Sequence, residues 1–248
     1  IYVSPCGPTS FKGSVLLLTI GNAGRTEPLK LVGPQGLTYI VEGLRRIAPE
    51  LPFPLELIEL GKDTPNSLRL GEFEVSFCQA DHMVRCYAYR IDVKRRGKFD
   101  PKKAEALGLP RPLWGKLQKE GAVEFEGKTY TPDMVLGAER PGIAMAYCTD
   151  SRPVDRLAHF AKGVQLFICE GMYGEEEKKP KALEHKHMLF SEAARLAKFA
   201  EAEELWLTHF SPALQEPAEF LQNATDIFPN TLLGEERKMT TLYFPKEG

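Results

Sequence analysis

The chain has 248 residues and a formal charge of −2, a length that suits one large buried core. This charge gives no overall basic field, so any contact with nucleic acid must come from a local patch. No apolar run approaches the roughly 18 residues of a transmembrane helix, and the opening IYVSPCGPTS lacks the features of a signal peptide. We therefore expect neither a membrane span nor a leader at this position.

Alternating helical and strand patterns predict a layered α/β fold. After the turn GPQG, residues 38–48 have the pattern of an amphipathic helix, and residues 73–77 alternate as a half-buried strand does. Three later runs are apolar throughout, as strands covered on both faces are. The stretch SEAARLAKFAEAEE predicts a helix with Ser191 as its N-cap. The three runs are residues 143–148, 164–169 and 204–208.

The five cysteines indicate reduced thiols rather than disulfide bonds. Their number is odd, and they lie in apolar runs such as MAYC and LFIC. Buried thiols of this kind are typical of a cytoplasmic protein, and because no C-x-x-C spacing occurs, a thiolate zinc site is not expected. The residues are Cys6, Cys78, Cys86, Cys148 and Cys169.

The middle of the chain differs in composition from the rest. Residues 94–137 are interrupted by glycine and proline and begin with a dense group of cations. We interpret this segment as a basic arm extending from the core, and a solvated charged loop is the alternative. The six cations are Lys94, Arg95, Arg96, Lys98, Lys102 and Lys103.

Four predicted strands are each followed by acidic residues or histidines. Taken singly, such an Asp is a turn residue and such a His is an ordinary core or surface group. Strand ends of one sheet lie close together, however, so we expect these side chains to form one polar site. Imidazole and carboxylate without thiolate suit Zn²⁺ or Mn²⁺, and two such ions favour hydrolysis of phosphate esters. The residues are Asp81, His82, Asp150, Glu170 and His209.

The segment EHKH holds His185 and His187 in an H-x-H spacing that metal ligands often use. We place the pair in a charged loop just before a helix, where His187 is suited to donating a proton to a leaving group. His185 is expected to be solvated. The fifth histidine, His159, fits a helix and is expected to have no role in the site.

Several segments, in their order along the chain, resemble ribonuclease Z, the tRNA 3′-end endonuclease of the metallo-β-lactamase superfamily, in its bacterial Firmicute form. They are LLLTIGNAGRTEPLKLVGPQGL, ADHMVRCYAYR, the stretch from GKFDPKKAEALGLP to TPDMVLG, GIAMAYCTDSRP, FICEGMYG, HMLFSEAARLA and LTHFSPAL. The likeness extends from about Leu16 to Leu214. Each segment alone would be weak, but their number and order make the resemblance specific.

The resemblance implies a single αββα sandwich domain over residues 1–248, with a protruding arm at residues 94–137 that grips the tRNA elbow. The cations of the arm would then meet RNA phosphates in a salt-dependent, largely sequence-independent way. It also implies a cytoplasmic homodimer that acts on precursor tRNA and has no membrane partner.

For the site, the resemblance implies that His82 binds one metal ion, His209 binds the other, and Asp150 bridges the two. His187 would protonate the leaving oxygen, and Glu170 would orient His187. The cofactor would be zinc, two ions per chain in a complete site, with manganese or magnesium as alternatives.

The chain departs from the family pattern at four places. HML replaces HST beside His187, and THFSPAL replaces THFSxRY, which removes an Arg that could contact phosphate. The H-x-H-x-D-H motif, which supplies most of the family's ligands, is not found, since no histidine precedes His82. It belongs just ahead of LLLTIGN, where this chain reads TSFKGSV, and the family's DCGEGT is also unrecognisable in residues 1–12. Three ligands cannot complete two coordination shells.

Two explanations of the missing motif are open: the full protein has residues beyond these 248, or the chain lacks its catalytic loop. We expect the former, because the other ligands and the arm match well and the match is disrupted only near residues 10–15. Because metal binding and loop ordering are coupled, a chain without this segment would have empty metal sites. A mass of 27.8 kDa for the intact protein would contradict our expectation.

The favoured function is a metal-dependent endoribonuclease that removes the 3′ trailer of precursor tRNA by hydrolysis of a phosphodiester. A small-molecule phosphodiesterase of the same fold is one alternative, although it would not need a long cationic arm. A catalytically inactive tRNA-binding protein is the other, and the missing H-x-H-x-D-H supports it.

Overall fold

The computed structural model describes residues 13–46, 50–61 and 66–246. Cys6, the chain opening up to residue 12 and the end of the predicted helix at residues 47–48 lie outside these ranges. The chain forms two compact units. The first contains residues 1–92 and 144–241, and the second contains residues 93–143 and 242–248. Within the described ranges, no helix has the length and apolarity needed to cross a membrane.

The largest sheet has seven strands. Strands β8 to β11 are parallel to one another, whereas β3 and β4 pair antiparallel. The continuously apolar runs of the sequence form β8, β9 and β10, as predicted. In spatial order the strands are β11 (Thr231–Leu233), β10 (Glu204–Thr208), β9 (Leu166–Glu170), β8 (Arg140–Cys148), β5 (Tyr87–Arg95), β4 (Phe73–Gln79) and β3 (Ser67–Leu70).

A smaller parallel sheet packs on one face of the large one. Val32 and Leu60 of the small sheet form a buried cluster with Tyr87 and Tyr89 of β5, so the two sheets share a core. On its other side, the small sheet is covered by two helices, and Val41 of the second helix is buried in that layer. The strands are β1 (Leu29–Pro34) and β2 (Leu55–Leu60), and the helices are α1 (Gly13–Asn22) and α2 (Leu37–Arg45).

Helices cover the opposite face of the large sheet. Phe167 of β9 and Leu205 of β10 are buried in one cluster with Leu157, Ala193 and Ala197 from the helices. The layers therefore follow the order helix, sheet, sheet, helix, and the expected αββα sandwich is confirmed. The helices that follow β8 along the chain are α5 (Asp155–Phe160), α6 (Lys179–His185), α7 (Phe190–Phe199) and α8 (Gln222–Thr225).

Two local predictions were wrong. Helix α7 begins at Phe190, so Ser191 lies in its first turn and is not the N-cap. The Glu192 carboxylate accepts a hydrogen bond of 3.0 Å from the Leu189 amide and so stabilises an earlier helix start. His185 is the last residue of α6 rather than part of a loop, because a proline in the first turn favours a helix there.

The second unit has a small core of its own. Ala104, Leu117 and Val135 are fully buried in it, and Asp100 caps the first helix by accepting hydrogen bonds from two backbone amides. Residues 94–137 lie within this unit, and their role as a protruding arm stays a prediction. Its elements are α3 (Pro101–Ala106), α4 (Arg111–Glu120) and the hairpin of β6 (Val123–Phe125) and β7 (Lys128–Tyr130).

Candidate metal centre

Three of the predicted site residues lie together because their strands are parallel and in register. Cys148 of β8 is opposite Cys169 of β9, and Glu170 is opposite Thr208 of β10. Glu170 is the last residue of β9, His209 follows β10 directly, and Asp150 is the second residue after β8. Since parallel strands present their carboxyl ends at the same edge, the three side chains meet there.

The turn after β4 brings His82 to the same edge. The Asp81 amide donates a hydrogen bond of 3.0 Å to Ser151 Oγ, and the Arg152 amide donates one of 2.9 Å to the Asp81 carbonyl. The Asp81 carboxylate also forms an ion pair of 2.7 Å with Lys186. These contacts hold the turn against the residues that follow β8.

Five predicted residues form one cluster at this edge, which we call the metal centre. His82, Asp150 and His187 offer ligand atoms that all lie within 4.8 Å of one another, and so do Glu170, His187 and His209. The centroid of the His187 ring lies 5.0 Å from that of His82 and 5.6 Å from that of His209. Neither His159 nor His185 belongs to such a group within the described part of the chain.

The backbone is unusual at two of these positions. Asp150 has a φ of 59° and His209 a φ of 57°, both in the left-handed region that L-residues seldom adopt. Such conformations cost on the order of 1–3 kcal/mol and are concentrated at active sites, where the surrounding structure imposes them. Both residues lie within two positions of a strand end, so the strained turns direct their side chains to the metal centre.

Glu170 connects the loops that carry Asp150 and His187. Its carboxylate is fully buried and accepts hydrogen bonds from the Ser151 amide, at 2.5 Å, and from the Met188 amide, at 3.2 Å. One carboxylate oxygen also lies 2.9 Å from His187 Nδ1. Because these donors suit an ionised acceptor, Glu170 holds the proton on Nδ1 and leaves Nε2 of His187 free for other partners.

The pKa of His187 is raised above its usual value. Burial lowers this pKa, but the hydrogen bond that His187 donates to Glu170, the charge of Glu170 and the charge of Asp150 together outweigh burial. His187 therefore keeps its second proton to a higher pH than a solvated histidine does, which suits a group that donates a proton.

The histidines at the two ends of the cluster fit metal ligation. His82 Nδ1 lies 3.1 Å from the Lys186 carbonyl oxygen, a contact that fixes this nitrogen as a donor and directs Nε2 away as a ligand. His209 Nε2 lies 3.6 Å from Asp150 Oδ1, and His209 Nδ1 is buried without a hydrogen-bond partner among the described residues. The His209 Nε2 atom therefore lies beside a carboxylate and near further imidazoles, a set of donors that suits a divalent metal ion.

Sequence reasoning missed two residues that support the metal centre. The Arg152 guanidinium donates to both carboxylate oxygens of Glu192, at 2.8 and 2.6 Å, and also to the His187 carbonyl oxygen. Both side chains of this ion pair are largely buried, with exposed fractions of 13% and 7%. Arg152 follows Asp150 by two residues, but nothing in the sequence indicates that its partner lies in α7.

The six predicted RNA-binding cations all lie in the second unit. Arg95 is half-buried and donates to the Pro245 carbonyl at 3.0 Å, while Lys103 donates to the Leu136 carbonyl at 2.5 Å. Five of the six are exposed: Lys94, Arg96, Lys98, Lys102 and Lys103.

No family model matches the chain. Curated relatives match it over nearly all of its length. It is 51% identical over 234 residues to ribonuclease Z of Clostridium acetobutylicum, covering 92% of this chain and 76% of that protein. It is also 51% identical over 233 residues to ribonuclease Z of Lachnospira eligens, covering 94% of this chain and 76% of that protein. The chain belongs to the ribonuclease Z family.

Solved structures agree with the fold of the ribonuclease Z family. The short form of human tRNase Z superposes with a TM-score of 0.59 at 18% identity, covering 99% of this chain and 79% of that one. The metallo-β-lactamase fold protein YhfI of Bacillus subtilis superposes with a TM-score of 0.60 at 19% identity, covering 94% of this chain and 73% of that one. The sandwich is thus the metallo-β-lactamase fold.

Proposed function

We propose that this member of the ribonuclease Z family is a metal-dependent endoribonuclease that hydrolyses a phosphodiester to remove the 3′ trailer of precursor tRNA. Identity near 50% to proteins of that name supports the activity. The observation that carries the proposal is the metal centre, where His and Asp ligands lie directly beside the hydrogen-bonded pair of Glu170 and His187.

His82, Asp150 and His209 are the residues that would hold the metal. Zinc, two ions per chain, fits a set of imidazole and carboxylate ligands, with manganese or magnesium as alternatives. Metal ions at such a site activate water and neutralise the charge that develops on the phosphate oxygens.

The pair of His187 and Glu170 would assist departure of the leaving oxygen. With Nδ1 held by Glu170 at 2.9 Å, His187 would donate the proton on Nε2 to the 3′ oxygen as its bond to phosphorus breaks. The fully buried Glu170 would orient the imidazole and stabilise its charged form. This division of roles places Glu170 as a positioning residue and His187 as the general acid.

For the second unit we propose contact with the body of the precursor. The cations of residues 94–103 would meet backbone phosphates without reading the sequence. We also propose that the protein acts in the cytoplasm as a homodimer with no membrane partner, as the family resemblance implies.

Salt dependence tests the role of the second unit. Replacing Arg96 and Lys102 by Gln together should make the salt dependence weaker. The magnitude of the slope of log affinity against log salt should fall by about 1.8, because each lost duplex phosphate contact removes about 0.9. Precursor binding titrated at several salt concentrations measures this slope. The matched control is Arg111→Gln with Lys119→Gln, which removes two cations from α4 of the same unit. Equal slopes for the two double variants would contradict the assigned role of residues 94–103.

The activity itself is tested by incubating the intact protein with a precursor tRNA and mapping the ends of both products. The proposal predicts a single cut that separates the mature 3′ end from the trailer, and its loss in the presence of a chelator. Hydrolysis of a small phosphodiester without cleavage of the precursor would favour a small-molecule phosphodiesterase. Tight binding of precursor tRNA without any cut, in protein shown to contain metal, would favour an inactive tRNA-binding protein.

A further inference from the structure

A groove between α5 and α7 in the first unit is not used by the proposed mechanism. It has a wider section of about 750 Å³ and a narrower section of about 280 Å³. Ala158, Arg195 and Phe199 line both sections, so the two form one continuous groove. We call it the α5–α7 groove.

The α5–α7 groove leads away from the metal centre. Helix α5 begins soon after Asp150, and α7 begins soon after His187, so both helices start at the edge of the sheet that carries the site. The narrower section begins at the helix starts, where Pro153, Asp155 and Glu192 line it, and continues along α7 to Phe199. The wider section is lined by residues at the helix ends. A chain that leaves the metal centre can therefore follow the groove along α7.

The wider section of the groove is basic, and its cations are largely uncommitted. Lys162 pairs with Glu201 at 3.4 Å, both at the exposed surface. Arg195 has one long hydrogen bond, of 3.5 Å, to Ser191 Oγ, and Lys198 has no ion-pair partner within the described ranges. Two positive charges one helical turn apart are therefore available to bind anionic groups from solvent.

An exposed aromatic ring lies beside these cations. Phe199 is 62% exposed and contacts the ring of His159 edge to face, with centroids 5.6 Å apart. Cations that meet phosphates next to a ring that stacks on bases are the combination by which proteins bind single-stranded nucleic acid. A paired duplex does not offer free base faces, so an unpaired strand suits the groove better.

We propose that the α5–α7 groove binds a single-stranded RNA segment that leaves the metal centre. This inference rests on the proposed function, in which that segment is the 3′ trailer of the precursor. The ten residues of α7 span about 15 Å, which accommodates roughly four stacked nucleotides. Arg195 and Lys198 bind trailer phosphates, and Phe199 stacks on a trailer base.

The test compares two precursors that differ only in trailer length: one nucleotide, or enough nucleotides to follow α7 to its end. Binding to the intact protein is measured under chelation, so that no cleavage occurs. Arg195→Gln with Lys198→Gln should lower the affinity for the long trailer relative to the short one, and should reduce the salt slope of the long-trailer complex by about 1.4. Phe199→Ala should lower the same affinity ratio about tenfold.

The matched control is Arg46→Gln with Arg69→Gln, which removes two exposed cations from other elements of the first unit and should leave the affinity ratio unchanged. Equal losses for the long and short trailers would show that Arg195 and Lys198 contact the tRNA body, and no loss would show that the groove binds no RNA. Either result would overturn the inference.

A free oligoribonucleotide with the trailer sequence separates this inference from the proposed function, because its binding does not depend on cleavage. If the protein leaves precursor tRNA uncut but binds the oligonucleotide through Arg195 and Lys198, the proposed function fails and the groove still binds RNA. If the protein cuts the precursor but the variants bind the oligonucleotide as the wild type does, only the groove assignment fails.

Discussion

Replacing Glu170 by Gln should lower the rate of precursor cleavage by about 10²- to 10⁴-fold, the usual contribution of general acid catalysis. The amide keeps the shape of the side chain and can still accept from the Ser151 amide, but it loses the charge that holds His187 in its charged form. Single-turnover cleavage of precursor tRNA measures the effect. Metal content should stay near that of the wild type, because the proposed function assigns Glu170 to positioning His187 rather than to holding the metal.

The double variant decides whether Glu170 and His187 act as one unit. If they do, Glu170→Gln combined with His187→Ala should be about as slow as His187→Ala alone, because residues that act together have non-additive effects. If the rate losses of the two single variants multiply in the double variant, the pairing is contradicted. Loss of metal from Glu170→Gln would also contradict it, since that result would make Glu170 a ligand.

Arg152→Ala should lower the free energy of unfolding by about 3–5 kcal/mol, because it leaves the largely buried Glu192 carboxylate without its partner. Urea denaturation measures this loss. Arg156→Ala is the matched control, since Arg156 is an exposed arginine four residues further along the chain, and it should change stability by less than about 0.5 kcal/mol.

Arg152 should also affect cleavage, because its guanidinium donates to the carbonyl oxygen of His187. Arg152→Lys keeps the charge but loses the bidentate contact with Glu192. Compared with Arg152→Ala, it should therefore recover some of the stability and little of the cleavage rate. Removing both partners, by Arg152→Ala with Glu192→Ala, should destabilise less than the sum of the single changes. A strictly additive double variant would show that the ion pair has no energetic role.

The metal centre could be anticipated from the sequence because a residue that follows a predicted strand is expected at the edge of the sheet. An apolar run followed by Asp150, Glu170 or His209 indicates a residue at a sheet edge, and parallel strands place such residues together. The structure brings these three and His82 into one cluster with His187. Their roles as ligands, general acid and positioning residue stay predictions.

Other features could not be anticipated because they depend on contacts between distant regions of the chain. The pairing of Arg152 with Glu192 joins residues 40 positions apart on two elements, and no local pattern indicates it. The start of α7 was misplaced because Ser191 has a high N-cap preference, whereas the Glu192 side chain accepts from the Leu189 amide and moves the start. Local preference competes with such contacts and does not decide helix boundaries alone.

The most direct test of the central claim is the metal content of the intact protein and of three single variants. Asp150→Asn and His82→Ala should each lose most of the bound metal together with cleavage of precursor tRNA. His185→Ala should keep both, because His185 ends α6 and lies outside the cluster. Metal content that is the same in all four proteins would contradict the assignment of this edge of the sheet as the metal centre.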